Sequence, residues 1–87
     1  MKDYLWRRET HGFGVEARTI WTFYVAVELQ PGGPTHFAYA GTLTRKGPKH
    51  WQLFKLDINF YMLHLSDLEM GERDAKNAAK VILTALI

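Results

Sequence analysis

Between Thr19 and Leu29 the chain reads TIWTFYVAVEL. Large apolar residues occupy every second position of this stretch, and such strict alternation is typical of a strand with one buried face. The apolar set consists of Trp21, Phe23, Val25, Val27 and Leu29. We therefore predict a half-buried strand over residues 19–29.

Further strands are predicted on both sides of it. The sequence QPGGP at residues 30–34 predicts a turn, because proline removes a ladder donor and glycine accepts positive φ. Residues 35–44 alternate again, and residues 50–56 read as the third strand of the same meander. Residues 4–9 predict a short first strand. Residues 60–65 predict either a further short strand, which we favour, or an irregular apolar connector. The apolar face of residues 35–44 is predicted to carry Phe37, Tyr39, Gly41 and Leu43.

The C-terminal part of the chain predicts a helix. Ser66-Asp67-Leu68-Glu69 matches a capping box, which predicts a helix start near Asp67. From Glu72 onward, small and apolar residues recur at helical spacing. They are Ala75, Ala78, Ala79, Ile82, Leu83 and Leu86.

These patterns together predict an α+β fold, with a small antiparallel meander of four to five strands followed by one C-terminal amphipathic helix. The helix is expected to pack on one face of the sheet. In the predicted core, Trp21, Phe23, Val25 and Val27 face Ala75, Ala79, Ile82 and Leu86. The 87 residues are too few for two separate cores, so we expect one domain over residues 1–87.

Composition excludes several classes of function. The chain has no cysteine, which excludes disulfides, Cys-ligated zinc sites and thiol nucleophiles. No stretch approaches the roughly 18 consecutive apolar residues of a membrane span. The first eight residues, MKDYLWRR, lack the apolar core of a signal peptide. We expect a cytoplasmic protein that does not bind membranes.

Three patterns resemble ligand or catalytic motifs, and each has a simpler structural explanation. Residues 12–17, GFGVEA, match the dinucleotide pattern G-x-G-x-x-G/A, but a strand follows where a helix is needed, so we predict a turn or bulge. Ser66 is the only serine, and its predicted role is helix capping. Asp57, Asp67, Glu69, Glu72 and Asp74 cluster near the predicted helix N-terminus, where the helix dipole favours negative charge.

The four histidines, His11, His36, His50 and His64, have no partner at helical spacing. His64 has a carboxylate, Asp67, within four residues. We interpret them as ordinary strand or turn residues, and expect neither a metal nor a cofactor.

The basic stretch RKGPKHW at residues 45–51 is the most suggestive local feature. Cations beside an aromatic ring can hold phosphates while the ring stacks on a base. The alternative is a solvated turn whose charges keep a sheet edge soluble. The predicted partner-binding residues, from this stretch and neighbouring strands, are Arg7, Arg8, Tyr24, His36, Arg45, Lys46, Lys49 and Trp51.

No constellation of catalytic groups is visible, so we expect a protein that is not an enzyme. The leading hypothesis is a protein-interaction module that forms a homodimer or joins a larger assembly. It would act as a small regulator or inhibitor of that assembly, as some phage or mobile-element proteins do. Aromatic and arginine side chains on the uncovered sheet face would make the contacts.

Two alternatives stay open. One is a single-stranded nucleic-acid binder that uses the basic sheet face. The order of strands and then one helix resembles, in architecture alone, the half-units of Pur-type and whirly-type single-strand binders. The other is a small-ligand pocket between helix and sheet, which is favoured only by the high aromatic content of the chain.

Overall fold

A computed structural model describes residues 4–12, 14 and 18–86, and within them the chain forms five strands and one helix. The elements in chain order are β1 Tyr4–His11, β2 Arg18–Glu28, β3 Thr35–Gly47, β4 His50–Leu56, β5 Met62–Leu68 and α1 Glu72–Ala85. The strands form an antiparallel sheet in the order β1-β2-β3-β4-β5, so each pairs with its neighbour in sequence. The predicted α+β fold, a meander followed by one helix, is confirmed.

The meander sorts the connections to two ends of the sheet. The β2–β3 turn and the β4–β5 loop lie at one end, which we call the distal end. The β3–β4 turn and the start of α1 lie at the other, proximal end. The helix therefore runs from the proximal end toward the distal end.

The core lies between the sheet and α1. Every second residue of β2 enters it or packs at its margin, as the alternation predicts, and β3 and β4 contribute Leu43, Trp51 and Leu53. Each large side chain buried there contributes about 1.5–3 kcal/mol. The buried residues are Phe23, Val25, Leu43, Trp51, Leu53, Leu68, Ala75, Ala79 and Leu83. Trp21, Val27 and Ile82 pack at its margin. The prediction was wrong for Leu86, which is 52% exposed because α1 ends before it.

One close contact sets the height of the helix above the sheet. Ala75 and Ala79 are fully buried, and Leu83 packs directly on Gly41 of β3. A Cβ at Gly41 would lie 2.6 Å from both Cδ atoms of Leu83 and 2.9 Å from the carbonyl oxygen of Phe54. Small residues on both sides of the interface thus allow the backbones to approach.

A bulge in β3 reverses the predicted face of its first half. Phe23 pairs with Gly41, but Tyr24 pairs with Tyr39, which leaves Ala40 as an extra residue. Gly41 and Leu43 therefore face the helix, whereas Tyr39 and Phe37 face the opposite side. The prediction that these four residues share one face was wrong, because alternation alone does not reveal an inserted residue.

The predicted helix start was also wrong. Ser66, Asp67 and Leu68 belong to β5 and pair with Leu53, Gln52 and Trp51, and the helix begins at Glu72. Burial of Leu68 contributes about 1.5–3 kcal/mol and the strand ladder adds to it, whereas a side-chain cap is worth about 0.5–2 kcal/mol. Pairing with β4 therefore outweighs the local capping signal.

The helix that does form begins without a side-chain cap. Gly71 occupies the N-cap position, and Glu72 and Asp74 place negative charge in the first turn.

No helix in the described part of the chain is long and apolar enough to cross a membrane.

Gly41→Ala should lower the free energy of unfolding by about 1–3 kcal/mol, because the added methyl group has no space between Leu83 and Phe54. Gly47→Ala is the matched control in the same strand, since its Cβ would meet only the Cβ of His50 at 3.7 Å. Urea denaturation followed by tryptophan fluorescence measures both variants. Equal midpoints for the two would contradict the assigned helix–sheet contact.

Gly71→Ser should raise the free energy of unfolding by a few tenths of a kcal/mol, because serine is the better N-cap. A Cβ at Gly71 meets nothing within 4 Å, so the side chain has room. Ser66→Ala should leave amide exchange in the first turn of α1 unchanged. Two results together would show that Ser66 is the cap. They are faster amide exchange in the first turn of α1 in Ser66→Ala, and no increase in the free energy of unfolding in Gly71→Ser.

Candidate functional site

Large hydrophobic side chains are exposed at the distal end of the sheet. Ile58 is 91%, Phe60 82% and Tyr61 72% exposed, and all three lie in the β4–β5 loop. We call these three side chains, together with the exposed residues that flank the loop and line the groove beside it, the distal apolar surface; the other members are Leu56, Met62, Leu63 and Leu86. Apolar exposure concentrated in this way is characteristic of an interaction site.

Hydrogen bonds to Asp57 hold the β4–β5 loop in one conformation. The Asp57 carboxylate oxygen Oδ1 accepts from the backbone N–H groups of Asn59 at 2.8 Å and Tyr61 at 2.9 Å. The N–H of Asp57 donates to the carbonyl of Tyr61 at 2.9 Å, and the N–H of Phe60 donates to the carbonyl of Asp57 at 3.0 Å. The loop therefore presents its apolar side chains from a fixed backbone.

Phe60 adopts a backbone conformation that glycine normally takes. Its φ is 65°, in the left-handed region, which is a genuine outlier for a bulky residue. In a tight hairpin loop this position is usually glycine, and another residue there costs roughly 1–3 kcal/mol. Burial of the aromatic ring adds little to the stability of the monomer, because most of the ring is in contact with solvent.

A groove of about 480 Å³ opens beside this loop, between the C-terminal end of α1 and the sheet. It exists because the helix ends before the distal parts of β2 and β3. Its walls are mainly apolar, with Lys55 and Asp57 as the charged groups. The lining residues are Val25, Val27, Ala38, Tyr39, Ala40, Lys55, Leu56, Asp57, Phe60, Leu83 and Leu86.

The sheet face opposite the helix is covered by no described element, and its aromatic side chains pack against one another. The rings of Tyr24 and Tyr39 meet edge to face at 6.4 Å, and the Tyr39 hydroxyl is 2.6 Å from Thr42 Oγ1. Burial raises the pKa of Tyr39, although the Thr42 hydrogen bond opposes the shift. Tyr39 is thus uncharged over the physiological pH range.

Two histidines converge on Asp67 near the proximal end of this face. His64 Nε2 lies 2.9 Å and His50 Nε2 3.8 Å from Asp67 Oδ1. The hydrogen bond from His64 lowers the pKa of the Asp67 carboxyl. Among the described residues, no group of three His, Asp or Glu side chains has a geometry that could hold a metal ion.

The structure does not bring the eight predicted partner-binding residues together. Arg7 lies on the open face, 3.4 Å from Glu9, whereas Arg8 points to the helix side because adjacent residues of a strand alternate. Tyr24 and His36 lie toward the distal end. Arg45, Lys46 and Lys49 are exposed at the proximal end, and Arg45 Nε donates to the carbonyl of Gly47 at 3.2 Å.

The prediction that Trp51 is a partner-binding residue was wrong. Its side chain is 1% exposed and lies in the core, so its ring cannot stack on a nucleic-acid base. The pattern of Trp51 and Leu53 facing inward, with Phe54 on the open face, follows from the pairing of β4 with β3 and β5. The basic turn therefore lacks the aromatic partner on which its predicted stacking role depended.

Sequence reasoning missed Ile58 and Phe60 as functional candidates. A signal was present, because Asp57-Ile58-Asn59-Phe60 places large apolar residues inside a sequence with turn chemistry. Turns are normally polar. Apolar residues in such a turn indicate either a buried connection or an interaction surface. The exposure of these two side chains favours the interaction surface.

No protein-family model matches this chain, and no curated protein or solved structure is significantly similar to it.

Lowering the pH should destabilise the fold partly through Asp67. Because its folded pKa is depressed, the ionised carboxylate stabilises the native state above the ordinary value of 3.8, and this contribution is lost as the pH falls through the lowered pKa. Asp67→Asn should therefore lose less stability than the wild type between pH 6 and pH 2. Urea midpoints at the two pH values measure this, and equal losses would contradict the His64–Asp67 interaction.

Proposed function

We propose that this chain is a non-enzymatic protein-interaction module that binds through its distal apolar surface. The observation that carries the proposal is the β4–β5 loop, in which Ile58, Phe60 and Tyr61 are exposed on a backbone held by Asp57. Folding of the monomer does not account for this arrangement, because it exposes large apolar side chains and places a phenylalanine in a glycine conformation. Backbone strain of this kind concentrates at functional sites.

The occupant that we propose is a second copy of the chain. The surface carries both a projecting part, Ile58 and Phe60, and the adjacent groove, so two copies related by a two-fold axis would fill each other's grooves. One cation, Lys55, and one anion, Asp57, border the groove. A two-fold axis can therefore pair opposite charges across the interface.

The competing nucleic-acid hypothesis at the basic turn has weaker support. Burial of Trp51 removes the stacking contact there, and the charges of Arg45, Lys46 and Lys49 suit a solvated turn. A protein partner for the distal apolar surface requires neither stacking nor phosphate contacts.

Ile58→Asp should weaken the dimer at least about tenfold, because a charge would enter an apolar contact. Val81→Asp is the matched control, since Val81 is an exposed apolar residue on the outer side of α1. Sedimentation equilibrium over a range of concentrations measures the dissociation constant of each variant. A wild-type chain that is monomeric at high micromolar concentration would overturn the second copy as occupant and leave a larger assembly, with this chain as its regulator or inhibitor.

Phe60→Gly separates binding from folding. Glycine accepts the positive φ of residue 60, so the free energy of unfolding should stay the same or rise by up to about 1 kcal/mol. Dimer formation should nevertheless weaken, because the ring is lost from the interface. Loss of stability in Phe60→Gly without any change in association would refute the role of this loop.

A further inference from the structure

A second surface, separate from the β4–β5 loop, lies between α1 and strand β1. Arg73, Lys76 and Lys80 recur at helical spacing on the flank of α1 that faces β1. They border a cleft of about 320 Å³ whose lining residues are Tyr4, Trp6, Glu72, Arg73, Lys76, Asn77 and Lys80. The cleft thus combines cations from the helix with aromatic rings from the sheet.

Aromatic rings hold the two lysines of this cleft in place. Lys76 Nζ lies 3.7 Å from the ring centroid of Trp21 and 5.6 Å from that of Trp6. Lys80 Nζ lies 4.0 Å from the ring centroid of Tyr4. Such cation–π contacts order side chains that are otherwise flexible. A ligand that binds these ammonium groups therefore loses less side-chain entropy than it would on free lysines.

The cations of the cleft have no carboxylate partner. No salt bridge among the described residues involves Arg73, Lys76 or Lys80. Glu72 is the acidic group in the lining, and its Oε1 accepts a hydrogen bond from Trp21 Nε1 at 2.8 Å. The cleft therefore keeps an excess of positive charge, and the Asn77 side chain adds neutral hydrogen-bond donors.

We propose that this cleft binds a phosphate group. Arginine and lysine side chains are the usual phosphate ligands, and three of them with a neighbouring amide supply enough donors for its oxygens. The cleft is too small to enclose a folded partner but large enough for a phosphate with part of the group that carries it. The phosphate belongs either to a free nucleotide or to the backbone of a single-stranded nucleic acid.

The experiment is an NMR titration of ¹⁵N-labelled protein at low salt, with inorganic phosphate, ADP and a ten-nucleotide oligothymidine as separate probes. Binding should shift the indole N–H signals of Trp6 and Trp21, because Lys76 lies over both rings. Arg73→Gln combined with Lys80→Gln should weaken binding at least about tenfold, since two charge-assisted contacts are lost. Arg73→Gln alone should give a smaller loss of affinity. It should affect folding least, because Arg73 is exposed and has no ring contact.

Lys49→Gln is the matched control, because Lys49 is an exposed cation at the β3–β4 turn and outside the cleft. It should change the affinity less than about twofold. Tight binding of the oligothymidine, with a log–log salt slope of about −2 from three contacts at roughly −0.7 each, assigns the phosphate to a nucleic acid. Preference for ADP assigns it to a free nucleotide.

Two results would overturn the proposal. The first is that none of the three probes shifts the Trp6 and Trp21 indole signals. The second is that Lys49→Gln weakens binding as much as the double variant does, which would return the site to the basic turn. Either result leaves the dimer proposal intact, because neither Arg73 nor Lys80 lies in the β4–β5 loop or lines the groove beside it.

Discussion

A helix of 14 residues has to cover a five-stranded sheet whose longest strand has 13 residues. The helix is about 21 Å long, whereas an extended strand of that length spans about 43 Å. Contact between Leu83, near the C-terminal end of the helix, and Gly41, at the middle of β3, places the helix over the proximal half of the sheet. The open face, the distal apolar surface and the groove are therefore three consequences of the same incomplete coverage.

The position of the helix also gives its two flanks different environments. On one side Ala78 and Ile82 pack against the core. On the other, the ammonium groups of Lys76 and Lys80 lie over aromatic rings of β1 and β2. Charged residues thus complete one margin of the core, and the same residues create the basic cleft.

Much of the fold was predictable because local signals specify it. Alternation identified β2, the PGG turn separated it from β3, and the spacing of Ala75 and Ala79 identified the buried side of the helix. The candidate sites were much less predictable. Exposure of Ile58 and Phe60 depends on where the helix ends, and the cleft depends on contacts between residues about 50 or more positions apart, such as Trp21 and Lys76.

The sequence by itself determined the strands of the meander up to β4, the turns on either side of β3 and the amphipathic helix, because periodicity and turn chemistry act between residues close in the chain. Tertiary structure alone decided where α1 begins, since strand pairing and burial of Leu68 outweighed the Ser66 capping signal. It also decided the face of Tyr39, through the bulge at Ala40, and the burial of Trp51. Each of these outcomes depends on which distant strands pair and in what register. The free energy of that pairing is distributed over contacts between residues far apart in the chain, which a local sequence pattern does not contain.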